Sequence, residues 1–198
     1  MKKGQAVKPL KKNDIEKIFK LLEKNENIVM LGVIKFALNT GLRISDILLL
    51  KFENMESTFL TEKKTKKTKG IIYNSSCKDI TKRLTEYYKK KYYNNFNSGY
   101  LFKSSIDPNK PISYQGVNYH IKTLRTKLKI NYPMNTHSFR KTWARTVYYK
   151  YNDLVLVMKL LNHSNPKVTL RYIGIEEEEI KKVYSEIIEC VKKSLEIK

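Results

Sequence analysis

The run IVMLGVIKFAL, residues 28–38, is the longest apolar stretch in the chain and is interrupted only by Lys35. It falls well short of the ~20 residues a membrane-spanning helix needs, so its place is a folded core. A chain of 198 residues is long enough to build one, and a single compact domain is the expectation. The run predicts a helix over about 27–39 that stops at Gly41, a glycine suited by type and position to a helix C-cap. Arg43 follows at once and leads into a third, short helix, ISDILLL. The opening MKKGQAVKPL has positive charge but no apolar segment of a signal peptide. Neither export nor a membrane anchor is implied.

The remaining elements follow from periodicity and caps. A basic arm through Lys12 precedes NDIEKIFKLLEK, where Asn13 and Glu16 stand at capping-box spacing and Ile15, Ile18, Phe19 and Leu22 share one face. Between Thr58 and Asn74, two β-prone pieces, TFLT and GIIYN, flank the polar run EKKTKKTK, which predicts a small sheet with lysines concentrated in its turn. Helices resume at about 78–93 and 113–129, with SSIDPNKP as the loop between them. Thr136 is placed to cap a helix beginning at His137, Asp153 to cap another ending near Asn162, and Pro166 to open a short helix carrying Tyr172. The last segment, from Glu176 onward, starts acidic and ends basic, as a helix dipole favours. The fold class is therefore mainly α with a small antiparallel sheet.

Charge narrows the partners. Forty Lys and Arg against nineteen Asp and Glu leave a net charge of +21, which attracts polyanions and releases counterions from a phosphate backbone. Nucleic acid is the leading partner, although an AT-rich coding sequence also inflates lysine. Cys77 and Cys190 form no disulfide framework or metal-ligand pattern and read as ordinary thiols in a reducing cytosol.

A set of polar residues points to phosphodiester chemistry. Arginine grips two phosphate oxygens and stays charged, so Arg43 and Arg140 suit a pentacoordinate transition state. A tyrosine nucleophile such as Tyr172 needs positive charge and a proton acceptor nearby; His137, which shares a helix face with Arg140, could be that acceptor. A lysine on the turn could protonate a leaving 5′-oxygen. The scheme requires no metal and no other cofactor. Each residue taken alone is equally compatible with an ordinary surface role; the set is what suggests a site.

TGLRISDILLL, the KKTKK turn, THSFRKTW and LNHSNPKVTLRYI together resemble the motif regions of the tyrosine recombinase, or phage-type integrase, family, in the family's order and over most of the chain. The resemblance implies that Arg43 and Arg140 bind the scissile phosphate and that Tyr172 attacks it, leaving a 3′-phosphotyrosyl link and a free 5′-hydroxyl. It implies His137 as general base or hydrogen-bond donor and His163 as a phosphate donor. Lys64, just before Thr65, best fits the family's lysine, with Lys66 and Lys67 as alternatives; Asp46 matches an acidic position that orients Arg43 or its neighbours. Asn162 stands where the family usually has glycine, a substitution asparagine allows because it tolerates left-handed geometry. The amino-terminal domain that clamps the other face of DNA in most members is missing. Either a lysine-rich arm takes over part of that work, or the chain resembles short members built from a catalytic domain alone, such as the fimbrial-switch invertases.

The expected organisation is a basic arm over 1–12, a catalytic domain over 13–175 and a carboxy-terminal helix over 176–198. In the family that helix docks on a neighbouring protomer, and Ile180, Val183, Ile187, Ile188 and Val191 form the stripe for it here. The implied partner is double-stranded DNA with paired recombination sites, bound by a tetramer of chains that are monomers in solution, in the cytoplasm and at the nucleoid. Lys66, Lys67, Lys122 and Arg125 are candidates for contact with the DNA backbone. His120, outside every motif, reads as incidental. Two rivals remain: a type IB topoisomerase, which shares these active-site residues, and a non-catalytic DNA-binding protein on the same fold.

Overall fold

The computed structural model describes residues 7–57, 59–92, 97–174, 183–187 and 191. Its elements run α1 (Lys12–Lys24), α2 (Ile28–Thr40), α3 (Ile44–Ile47), β1 (Phe59–Thr61), β2 (Thr68–Gly70), α4 (Ser75–Lys91), α5 (Tyr114–Lys127), α6 (Thr136–Tyr151), α7 (Leu154–Leu161) and α8 (Pro166–Ile173). Helix dominates. The strands pair antiparallel over three residues each, Phe59 with Gly70 and Thr61 with Thr68.

The apolar run becomes α2, the helix at the centre of the core. Met30, Leu31, Val33, Ile34, Phe36 and Ala37 are buried on it, and it packs against α1, α4 and α6. From α1 come Ile18 and Leu22; from α4 come Cys77, Ile80, Leu84 and Tyr88. The α2 glycine is needed for fit: a Cβ on Gly32 would approach Phe102 Cε1 to 2.9 Å. A smaller cluster, Ala144, Val157 and Leu161 with Trp143 and Tyr172 packed on it, joins α6 to α7 and α8. Thus the segments that carry the polar motifs are fixed by their own apolar sides.

Gly41 ends α2 in the left-handed region, φ 62°, and Trp143 of α6 lies directly over it. The Trp143 indole N–H donates to the Asn39 carbonyl at 3.2 Å. This joint brings Arg43, two residues beyond Gly41, to the start of α6.

Three local expectations are corrected. The start of α1 has Lys11 at the cap position with no side-chain bond, so Asn13 and Glu16 form no capping box; the neighbouring Asp14 accepts a hydrogen bond from the Tyr132 hydroxyl at 2.7 Å. The cap of α6 is Asn135, whose side chain accepts from the His137 amide at 2.8 Å, while the Thr136 hydroxyl pairs with that of Tyr114. The segment GIIYN is not the second strand. Strand pairing is taken by Thr68–Gly70, and Ile71 and Tyr73 turn into the core while Ile72 stays exposed.

Of the basic arm, residues 1–6 lie outside the described residues. The rest is held against the domain: the Leu10 amide donates to Thr142 Oγ1 at 2.7 Å, and Leu10 is buried. Most of the carboxy-terminal segment, including Glu176–Glu179, Ile180, Ile188 and Cys190, also lies outside the described residues; 183–187 are helical. Cys77 is buried with a free thiol, pushed up to about 11 by burial. Among the described residues no helix is long and apolar enough to cross a membrane.

Candidate active site

Five separate stretches converge on one cleft of about 440 Å³. It is lined by Arg43 and Ser45 near α3, Lys64 from the β1–β2 turn, Tyr114 from α5, Thr136, His137 and Arg140 from α6, His163, and Val168 and Tyr172 from α8. All six residues singled out as catalytic candidates, Arg43, Lys64, His137, Arg140, His163 and Tyr172, are among them.

The helix geometry accounts for the spacings. His137 and Arg140 stand one turn apart at the start of α6, so both face the cleft. Helix α7 ends at Leu161, and Asn162 then adopts φ 58°, ψ 40°, the left-handed geometry for which asparagine pays little steric penalty. This reversal, followed by the Asn165 cap and Pro166 at the start of α8, folds His163 back onto the next helix. His163 Nδ1 lies 3.0 Å from the Thr169 hydroxyl, and its ring meets that of Tyr172 edge-on at 5.0 Å. The offset of nine from histidine to tyrosine is therefore a short extended link through the Asn165 cap followed by almost two turns of helix from Pro166 to Tyr172.

Tyr172 closes the cleft against His137, its hydroxyl 3.2 Å from Nδ1. Burial, then the charges of Arg140, Arg43, Lys141 and Lys64, hold the His137 imidazole below its ordinary value of 6.5. At neutral pH it is an uncharged ring with a lone pair to offer. The Arg140 guanidinium and the Lys141 amine both lie 5.9 Å from the Tyr172 ring centre. A phenolate forming there would meet positive charge.

Arg140 is 1% exposed. Its Nη1 donates to the Gly41 carbonyl and its Nη2 to the Leu161 carbonyl at 2.8 Å, two oxygens at the carboxy-terminal ends of α2 and α7, where the helix dipole is negative. Burial and then the Arg43 charge push it down to about 10, which leaves it protonated at neutral pH.

Arg43 is held by a residue outside every sequence motif. Its Nη1 lies 2.7 Å from Oε2 of Glu62, a carboxylate whose side chain is 0% exposed. Asp46 is also buried, but its Oδ1 accepts from the Lys63 amide at 2.9 Å; burial pushes its carboxyl up. Among the turn lysines, Lys64 lines the cleft, whereas Lys66, at φ 57°, and Lys67 are exposed outside it. Lys122 is exposed and Arg125 half-buried on α5, neither lining the cleft; His120 is on the same helix and likewise outside. Glu62 and Lys141 are the charged neighbours that sequence reasoning missed. Each stands in a basic run, EKKTKK or FRKTW, where nothing marks it as buried.

The sequence model of the phage integrase family matches residues 8–179. The chain belongs to the phage integrase family. This family member is 34% identical over 167 residues to "Probable integrase/recombinase YoeC" of Bacillus subtilis, covering 83% of this chain and 86% of that one. It is 27% identical to "Tyrosine recombinase XerC" of Staphylococcus saprophyticus over 77% of this chain, and there it spans only 51% of the relative. In fold this integrase-family chain is similar to the XerH site-specific recombinase, described as bound to a palindromic difH substrate in a post-cleavage complex. The TM-score is 0.71 at 18% identity, covering 92% of this chain and 53% of that one.

Proposed function

We propose that the chain cuts and rejoins duplex DNA at specific sites through a 3′-phosphotyrosyl intermediate on Tyr172. The observation that carries the reading is the Tyr172 hydroxyl poised on His137 at the mouth of a cleft that also presents Arg43, Lys64, Arg140 and His163.

In this reaction the Tyr172 hydroxyl donates to His137 Nδ1 and its oxygen attacks the phosphorus as the proton leaves. The bond from phosphorus to the 5′-oxygen breaks, and the Lys64 ammonium protonates that oxygen. Arg43, Arg140 and His163 bind the non-bridging oxygens and offset the charge that accumulates on them. A 5′-hydroxyl from a second strand then attacks the phosphotyrosyl link and regenerates the tyrosine. The cations of the cleft supply the charge, so the scheme needs no metal and no nucleotide. Asp46 orients the Arg43 region by holding the turn at Lys63.

The proposed organisation is a catalytic domain over 13–175, preceded by the basic arm 1–12 and followed by the helix 176–198. We read the working form as a tetramer on paired DNA sites, assembled from monomers in the cytoplasm and at the nucleoid. What supports exchange of the last helix between protomers is that Val183, Ile187 and Val191, at helical spacing, are each about half exposed. The DNA-bound state described for XerH is consistent with a DNA partner.

The test uses nicked suicide substrates built from the ends of the element that carries the gene. The wild-type chain is expected to form a covalent adduct mapped to Tyr172 by mass spectrometry, and Tyr172→Phe to bind the same DNA without any adduct. Adduct yield unchanged in Tyr172→Phe would remove the tyrosine assignment.

A further inference from the structure

We infer that Glu62 is a positioning residue that locks Arg43 and the Lys64 turn to each other, so that the phosphate clamp and the proton donor are set by one carboxylate. The inference rests on the strand-cleavage reading above and adds a part to it.

Glu62 follows β1 and is fully buried, where a lone carboxylate would be costly. A single oxygen, Oε2, serves two neighbours: it lies 2.7 Å from Arg43 Nη1 and accepts from the Thr65 hydroxyl at 2.7 Å. The main chain of the same residue closes the turn, its amide donating to the Lys67 carbonyl at 3.0 Å and its carbonyl accepting from the Lys66 amide at 2.9 Å. On the other side, Asp46 holds the Lys63 amide. Lys64 is thus flanked by two anchored residues, Lys63 tied to α3 and Thr65 tied to Glu62, while its own side chain reaches the cleft.

The arrangement has a chemical consequence. Arg43 touches the phosphate in the proposed reaction and Lys64 the leaving oxygen, so their separation must match that between a non-bridging oxygen and the 5′-oxygen. Loops carrying lysines are ordinarily mobile, and displacement by an ångström costs a rate factor on the order of 100. A shared buried carboxylate removes that freedom without itself touching DNA.

The experiment is single-turnover adduct formation on suicide substrates with either an ordinary 5′-oxygen or a bridging 5′-sulfur, whose thiolate leaves with little protonation. Thr65→Val removes the turn-side contact to Glu62, together with the long bond at 3.4 Å that the same hydroxyl accepts from the Lys67 amide, and leaves the Arg43–Glu62 pair in place: adduct formation should slow several-fold on the ordinary substrate and stay unchanged on the sulfur one. Glu62→Gln keeps an acceptor but loses the charge beside Arg43: both substrates should slow, the ordinary one by about 100-fold and the sulfur one by less. Glu62→Asp, with its shorter reach, should recover less than wild-type rates on both. Glu62→Ala leaves Arg43 without its counter-charge and is scored only for folding; the other variants decide. A wild-type chain that forms no adduct on either substrate removes the recombinase reading and this inference with it. An active wild type, with folded Glu62→Gln and Thr65→Val variants that keep its rates on both substrates, or a Thr65→Val variant slowed equally on both, overturns the role of Glu62 alone.

Discussion

At the scale of single residues, the state of His137 decides what the cleft can do. Burial and four neighbouring cations depress its folded-state pKa below 6.5, so the neutral ring is favoured by folding. A depressed group contributes stability in full above its unfolded value and loses that contribution as pH falls through the folded value. In the proposed role of general base the activity would have the same sign: His137 must be neutral to act, so it fails on acidification, and at lower pH than an ordinary histidine. The rate of adduct formation is therefore expected to decline on acidification with a midpoint below 6.5, with His137→Asn slower and lacking that acid limb. A decline centred above 6.5 would place the titrating group elsewhere. His137 was legible in the sequence because its chemistry is tied to a one-turn partner, Arg140. Glu62 was not, because its role depends on contacts across strand and helix that no local spacing encodes.

At the scale of elements, the joint between α2 and α6 sets Arg43 against Arg140. Gly41 is the single residue there that must be glycine, both for its positive φ and because Trp143 occupies the space of a side chain. Left-handed backbone costs an ordinary residue about 1–2 kcal/mol, and the displaced indole adds to it. Gly41→Ala should lower the melting temperature by roughly 4 °C or more, and calorimetry checks this. An unchanged transition would mean that the indole moves aside freely. The helix ends at Gly41 and Leu161 were legible because glycine and asparagine mark left-handed caps. The start of α6 was misplaced by one residue because Asn135 and Thr136 both qualify as caps, and the Thr136 hydroxyl is claimed by Tyr114, a partner 22 residues away. GIIYN read as a strand because it carries three β-prone residues in a row, Ile71, Ile72 and Tyr73; Ile71 and Tyr73 are buried there without a hydrogen-bonded ladder, which ends at Gly70.

At the scale of the whole molecule, a net charge of +21 makes DNA affinity strongly dependent on salt. Lys122 is exposed on α5, on the face opposite the buried Val117, Ile121 and Leu124. If it meets a phosphate, Lys122→Ala weakens binding to all sequences alike and reduces the slope of log Kobs against log salt by about 1. Titration at several salt concentrations checks this, and an unchanged slope assigns Lys122 to a merely solvated face. The same comparison applied to Lys66 and Lys67 separates turn lysines that contact the backbone from the one that enters the cleft.

The chain has a single tryptophan among 14 tyrosines, and it is the indole that seals the Gly41 joint. Excitation at the red edge of the absorption band therefore selects one chromophore, placed where the two arginine-bearing segments meet. The protein carries its own optical gauge of cleft assembly, and its emission reports that joint without any attached label.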